Sequence, residues 1–384
     1  MIKNNIIILF YIFLFSNTNL LNAEDKNDLK IGLLAPFSGE YRSLGNSLLL
    51  SMQLALNEIN DKKIIIVTRD SGSNDKVKLT KAIDDIIETG AKIIIGPIDS
   101  ENFDEVERYK DIIFISLSNK YPEIKSNVIS IGISLESQIN ALTNFIKKQK
   151  KQKTIILYPQ NEYTEFIDSK IKSIKLKDYK IYKYNSDPKF LTGEIEKITN
   201  YAQRKRNLKL RKKLLENKED PQSLRELKIL EQKYTIGEVN FDSIIIIDFG
   251  SNLKSVLASL IFSDVDSEKV LFTTVNQWFD ESIFFENSAK RLFYPSVNLK
   301  NFMKFNKEYK DIFKSDPNEI SLLAYDAVGL IYYIWKKNNG IKSINDFFIK
   351  DKIKGKIGNF TFNNGRVFQE LKIYKIENNS FKEN

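Results

Sequence analysis

The chain has 384 residues, 42% hydrophobic and 28% charged, with 59 Lys plus Arg against 50 Asp plus Glu and a formal charge of +9. That length and balance suit a globular protein of two ordinary domains with a large core. Histidine and cysteine are both absent, which excludes Ser-His-Asp and Cys-His nucleophiles, imidazole or thiolate zinc sites, iron-sulfur clusters and disulfides. What remains open to an enzyme is carboxylate, Lys or Tyr chemistry, or magnesium or calcium held by oxygens. The expectation is a protein that is not an enzyme and carries no cofactor and no metal.

Met1 to Asn5 holds one Lys, Ile6 to Phe15 is an apolar run, and Leu21-Asn22-Ala23 precedes a polar segment. The run is too short to span a bilayer and has the layout of a secretory signal. Residues 1–23 are therefore expected to be a signal peptide that sends the chain to the periplasm, with cleavage after Ala23. Leu21 is bulkier than the small residue usual at that position, so an uncleaved anchor is the alternative. Without Cys the chain is expected not to be a lipoprotein.

From Lys30 to Asp70 the sequence reads as a strand over Ile31–Ala35, a Pro36-Phe37-Ser38-Gly39 loop, a helix over about Ser43–Asn60 and a strand over Ile64–Thr68. The first strand is a continuous apolar run, as in a parallel sheet covered on both faces. Leu48, Met52, Ala55, Leu56 and Ile59 form a helical stripe. Ser38 and Gly39 stand at the carboxyl end of that strand, where open α/β sheets bind ligands, although a plain strand-to-helix turn explains them equally.

The rhythm continues with a helix at Lys76–Thr89, strand Ala91–Ile95, short helix Glu101–Tyr109, strands Ile112–Ser116 and Val128–Ile131, and helix Leu135–Lys148. A second series follows: strand Thr154–Tyr158, helix Glu162–Ile174, strands Tyr179–Tyr184 and Ser243–Asp248, helix Asn252–Phe262 and strand Lys269–Thr273. This alternation predicts an α/β fold with two lobes built on parallel sheets flanked by helices.

Residues 201–237 break the pattern. Asp220-Pro221 is a helix start, Leu224, Leu227, Leu230 and Tyr234 make an apolar face, and Leu208, Leu214 and Leu215 would meet it from the preceding helix. The segment reads as a helical hairpin on the second lobe. It holds eleven Lys plus Arg against five Asp plus Glu, hence +6. Arg204, Lys205, Arg206, Lys209, Arg211, Lys212 and Lys213 form an acid-free run. Such a run suits an acidic protein partner or envelope polyanions rather than nucleic acid, or is simply a solvated helix face. With neither GxGxxG nor GxxxxGK[ST] present, there is no ground for a nucleotide.

The succession IGLLAPFSGEYRSLGNSLLLSMQLALNEIN, IIIGPIDS, IFISLSN, TIILYPQNEYTEF, YKDIFKSDPNEISLLAYDAVGLIYYI and GKIGNFTFNNGRV resembles the type I periplasmic binding proteins of the leucine-binding kind. The resemblance implies two lobes joined by three crossovers near Ile133, Pro295 and Lys352. Lobe 1 would be residues 24–133 plus 295–352, and lobe 2 residues 134–294 plus 353–384 with the 201–237 insertion inside it. By the same resemblance, Ser100 and either Ser118 or Asn119 would hold a ligand carboxylate, helped by helix amides. Tyr163 would pack on the ligand, though Thr164 replaces the Gly that usually follows it. The loop where the receptors often carry an acid reads Val275-Asn276-Gln277-Trp278, leaving Asp248 and Asp280 as the nearby carboxylates for an ammonium group. Ser100 equally suits capping the next helix, and Tyr163 and Trp278 equally suit packing.

The basic hairpin, the strand at FDSIIIIDFG and the Trp278 loop are similar to the penicillin-binding protein activator branch, which implies action on a cell-wall synthase. The chain departs from the well-known activators, which are outer-membrane lipoproteins with an added helical-repeat domain: it has no lipobox Cys, and its length is expected to leave no room for that domain. The expected function is that of an envelope regulator of peptidoglycan synthesis, with a cell-wall synthase or other envelope protein as partner. The alternative is the substrate-binding receptor of an amino-acid or amide ABC transporter, with a small amino-acid-like ligand and a permease as partners. Nucleic acid is not expected.

Overall fold

The computed structural model describes residues 28–72, 75–98, 103–119, 126–172, 174–363 and 366–384. The expected signal peptide and Ser100 lie outside the described residues. Elements run in chain order as β1 (Leu29–Ala35), α1 (Arg42–Ile59), β2 (Ile64–Asp70), α2 (Lys76–Glu88), β3 (Ile93–Ile95), α3 (Phe103–Val106), β4 (Ile113–Ser116) and β5 (Val128–Ser130). Next come α4 (Leu135–Lys148), β6 (Lys153–Pro159), α5 (Thr164–Ile171), β7 (Asp178–Tyr184), α6 (Pro188–Ile198), α7 (Tyr201–Glu216), α8 (Pro221–Glu231), β8 (Ser243–Ile246), α9 (Gly250–Phe262) and β9 (Leu271–Thr274). The last part holds β10 (Leu292–Ser296), α10 (Leu299–Phe313), α11 (Ser321–Asn338), β11 (Ile353–Lys354), β12 (Asn359–Asn363), β13 (Arg366–Gln369), β14 (Lys372–Glu377) and β15 (Ser380–Glu383). The described residues divide into two compact units, one drawn from within 28–117, 126–129 and 324–347 and the other from within 118–119, 130–323 and 348–384.

The first unit is a parallel sheet in the order β5-β4-β3-β1-β2. Every residue of β1 except Lys30 is buried, as its apolar run requires. Leu48, Met52 and Ala55 of α1 are fully buried, so the stripe read from the sequence is the core face. Asp75 caps α2 by accepting from the Val77 and Lys78 amides. Helix α11 is tied to the end of α1 by the Tyr325 hydroxyl donating to Glu58 and by Lys336 pairing with Asp61 at 2.8 Å.

The second unit holds a seven-stranded sheet in the order β15-β14-β10-β9-β8-β6-β7. Strands β6 to β10 are parallel, while β14 and β15 join antiparallel at one edge through a turn in which Asn378 and Asn379 both have φ +51°. A second antiparallel ribbon, β11-β12-β13, meets Ser130 through Arg366. These antiparallel strands, and helix α6, are additions to the expected elements. Helix α10 falls in this unit although the sequence boundaries group it with lobe 1, because Phe302 packs against Phe279 at 5.0 Å and Trp278 at 6.2 Å between ring centroids.

Candidate functional site

In the first unit the loop after β1 is built around a carboxylate that the sequence reading did not single out. Asp70, the last residue of β2, accepts from the Phe37 amide at 2.9 Å, the Ser38 hydroxyl at 2.5 Å and the Gly72 amide at 3.1 Å. Partial burial opposes its charge, yet the Ser38, Phe37 and Gly72 bonds hold its carboxyl below the usual carboxylate range, so that it is the stronger acid. Gly39 takes φ +70°, which an L side chain rarely adopts. The helix approaches this loop closely at Gly45, where a Cβ would meet the Pro36 carbonyl oxygen at 2.1 Å. The Ser38 hydroxyl is thus committed to an anion of its own chain.

The other expected ligand residues lie in the second unit. Ser118 is half-buried and its carbonyl accepts from the Ser130 hydroxyl at 3.1 Å, whereas Asn119 is exposed. Tyr163 stands just before α5, 37% exposed, its amide held by Asn161 at 2.9 Å. Asp248 follows β8 and is buried; it accepts from the Tyr184 hydroxyl and from the Phe249 amide at 2.8 Å. Burial raises the Asp248 carboxyl above its ordinary value, more than the donors from Tyr184, Phe249 and Asn252 lower it. Burial likewise drives the Tyr184 hydroxyl far up, so it stays protonated and donating.

The loop after β9 comes to the same place. Gln277 donates to the Asp248 carbonyl at 3.1 Å, and Asn276 holds the Trp278 amide at 2.9 Å while Trp278 sits at φ +50°. Asn276 is fixed from α4, since its amide donates to Gln138 at 2.8 Å and Gln138 donates to the Ile133 carbonyl at 2.9 Å. Asp248 and the Trp278 loop are therefore brought together at the carboxyl edge of the sheet, where α/β folds recognise ligands. Tyr184 and Gln138 were missed. Tyr184 is the one buried residue of β7, its last, and that end-of-strand position was the available signal.

The hairpin forms with the expected boundaries: Asp220 caps α8, accepting from the Ser223 amide at 2.9 Å with Pro221 next in line. Its seam differs from the expected one. Leu208, Leu215 and Leu230 are buried, with Leu227 and Ile236 packed on them, because positions seven apart on α7 and three apart on α8 share a face. Leu214, Leu224 and Tyr234, which the sequence reading put in the seam, are 61%, 52% and 76% exposed, and Leu210 and Ile229 are exposed as well.

The basic run also divides. Arg204 is buried and is not a docking residue: its guanidinium donates to the carbonyls of Gly237 at 3.1 Å, Ser263 at 3.1 Å and Asp264 at 2.7 Å and to the Thr235 hydroxyl at 2.9 Å. Arg211 forms a bidentate pair with Glu226 across the hairpin at 2.7–2.8 Å, and Lys212 is half-buried. Lys205, Arg206, Lys209 and Lys213 are exposed, interleaved with Leu210 and Leu214. Among the described residues no group of acidic side chains could hold a metal ion, and no helix is long and apolar enough to cross a membrane.

Residues 28–172 match a family model described as periplasmic binding protein, and no curated protein matches the sequence. A putative branched-chain amino acid ABC transporter from Rhodospirillum rubrum is 11% identical over 93% of this chain and 100% of that one, with a TM-score of 0.68. The C-domain of LpoA from Haemophilus influenzae, a regulator of PBP1A, is 12% identical over 92% and 99%, with a TM-score of 0.60. LivJ from Streptococcus pneumoniae, the branched-chain amino acid transporter substrate binding protein solved with isoleucine, is 16% identical over 92% and 98%, with a TM-score of 0.55. The chain thus has the α/β fold of the two-lobed type I periplasmic binding proteins, and residues 28–172 carry the sequence pattern of a periplasmic binding protein family.

Proposed function

We propose that this chain is an exported, non-catalytic ligand-binding-fold protein of the cell envelope that regulates a protein partner, as the penicillin-binding protein activators it resembles act on peptidoglycan synthesis. The observation that carries this reading is the α7–α8 hairpin. It sets Lys205, Arg206, Lys209 and Lys213 beside Leu210 and Leu214 on exposed faces, a combination suited to an acidic protein surface with an apolar centre. The likeness to the LpoA C-domain and the commitment of Ser38 to Asp70 agree with it.

Binding of the full chain to the cell-wall synthases of its source, read by interferometry at two salt concentrations, tests the proposal. Reversing Lys205, Arg206 and Lys209 to Glu should weaken binding and flatten its salt dependence. Equal binding by the reversed variant would end the proposal.

A receptor for an amino-acid ABC transporter is the second reading, favoured by the likeness to LivJ and to the Rhodospirillum protein. In it Ser118, Asn119, Tyr163, Asp248 and the Trp278 loop of the second unit are the ligand residues. A thermal-shift panel of amino acids and amides separates the two: a ligand at a hundred times its dissociation constant adds about 2.7 kcal/mol, and a clear shift favours the receptor.

A further inference from the structure

The second unit carries a hollow of about 760 Å³ whose lining includes none of Asp248, Tyr184, Gln277 and Trp278. It opens at the amino edge of the sheet, where β9 and β10 begin at Leu271 and Leu292 and the β14–β15 turn passes at Asn378 and Asn379. The carboxyl edge, with Asp248 and Trp278, is at the other end of the same strands. Its size falls in the range of small-molecule sites.

Two half-buried aromatic rings line it and are braced from behind. Phe293 packs on Phe145 at 5.0 Å and Phe284 on Phe381 at 4.6 Å between centroids. The charged lining is Lys151, Lys290, Arg291 and Lys375 against Glu268, Glu286 and Glu377. Each of the three carboxylates is already paired: Glu268 with Arg291, Glu286 with Lys254 at 3.4 Å, and Glu377 with Lys375 at 3.2 Å and Lys382 at 2.7 Å. On the cationic side, Lys151 donates to the Lys269 carbonyl at 2.8 Å, and Lys290 makes no ion pair among the described residues. A neutral carbonyl leaves the Lys151 charge uncompensated.

We infer that this hollow is a second ligand site, for a small amphiphile with one anionic head and a flat apolar body. The head, a carboxylate, sulfonate or phosphate, meets Lys290 and Lys151. The body lies on Phe284 and Phe293, and the amides of Asn378 and Asn379 border the opening. A cationic ligand is disfavoured, because every acid that could receive it is taken. This site stands apart from the proposed function and holds whether the chain is a regulator or a receptor.

Titration of the full chain with anilinonaphthalene sulfonate, an aromatic monoanion, tests the inference by fluorescence, with neutral N-phenylnaphthylamine as the comparison. The expected result is saturable one-to-one binding of the sulfonate, roughly tenfold tighter than the neutral probe, as one charge-assisted contact provides. Lys290→Glu should lose about that factor with an unchanged melting temperature, since the side chain is exposed and makes no ion pair among the described residues. Equal affinity for the two probes, sulfonate binding untouched by Lys290→Glu, or binding removed instead by Leu210→Gln with Leu214→Gln on the hairpin would each overturn it.

Discussion

Arg204 donates from its guanidinium to the Asp264 carbonyl at 2.7 Å, joining the first turn of the hairpin to the second residue after α9. The backbone repeats the tie, since the Ile236 amide donates to the Arg204 carbonyl at 3.2 Å. A side chain that looks like part of a charged surface is a buried fastening. Arg204→Ala should cost about 3 kcal/mol, because several carbonyls are left without donors in a dry setting. In a unit of this size that is about 6–12 °C in melting temperature. Arg204→Lys should recover little, since an ammonium cannot reach the same fork of acceptors. Arg206→Ala, on the exposed face, should stay within about 0.5 kcal/mol by urea denaturation.

The seam of the hairpin makes a register prediction. Leu215→Ala and Leu230→Ala remove fully packed side chains and should each cost about 2–3 kcal/mol. Leu214→Ala and Leu224→Ala, at exposed positions, should cost less than about 0.5 kcal/mol. Helical signal by circular dichroism and the urea midpoint report both, and a reversed order would refute this register.

Asp70 and Asp248 should respond to pH in opposite directions. Asp70 is more acidic folded than unfolded, so its stabilisation is present at neutral pH and fades as pH falls through the carboxylate range. Asp70→Asn, which cannot accept as many amide bonds, should lower stability by about 1–2 kcal/mol at neutral pH, with the gap to the native protein closing on acidification. Melting curves between pH 3 and pH 7 would show it.

Asp248 is less acidic folded than unfolded. Its favourable contribution is complete below the ordinary carboxylate value of 3.8 and is lost as pH rises through the raised folded value. Asp248→Asn keeps one acceptor oxygen, for either the Tyr184 hydroxyl or the Phe249 amide, and removes the buried charge. The variant should therefore gain in melting temperature relative to the native chain as pH rises from 4 to 7, and a constant difference would show that Asp248 does not titrate in this window.

Gly45→Ala should force α1 away from the Pro36 carbonyl, which stands 2.1 Å from the added Cβ. Backbone on both sides leaves no flexible group to yield, so a loss of about 2 kcal/mol is expected despite alanine's better helix propensity. A stability equal to or above that of the native chain would show that the loop adapts.

The fold was legible where burial is complete. The runs at Ile31–Ala35 and Ile244–Ile246 are apolar without interruption because both faces of those strands are covered. Helix α6 escaped although Asp187-Pro188 repeats the Asp220-Pro221 signature, because only Leu191 and Ile195 of it are buried and Phe190 is exposed. Strand β14 escaped although its exposure alternates, the pattern of an antiparallel edge. The role of Arg204 was not legible at all. Three of its four acceptors are backbone carbonyls 33, 59 and 60 positions away, and a carbonyl has no letter of its own. Asp248 was legible as a carboxylate near the Trp278 loop, but not its partner Tyr184, 64 positions earlier.

The hairpin brings its own three-leucine cluster, closes on itself through Arg211 and Glu226, and is fastened at its root by Arg204, by Thr235 donating to the Asp264 carboxylate and by Tyr201 packing on Phe262. None of the strands of the seven-stranded sheet needs it for a partner. It is built as a cassette: a segment that an ancestor could acquire between two strands, or that an engineer could graft into a related scaffold, by matching the few contacts at its root.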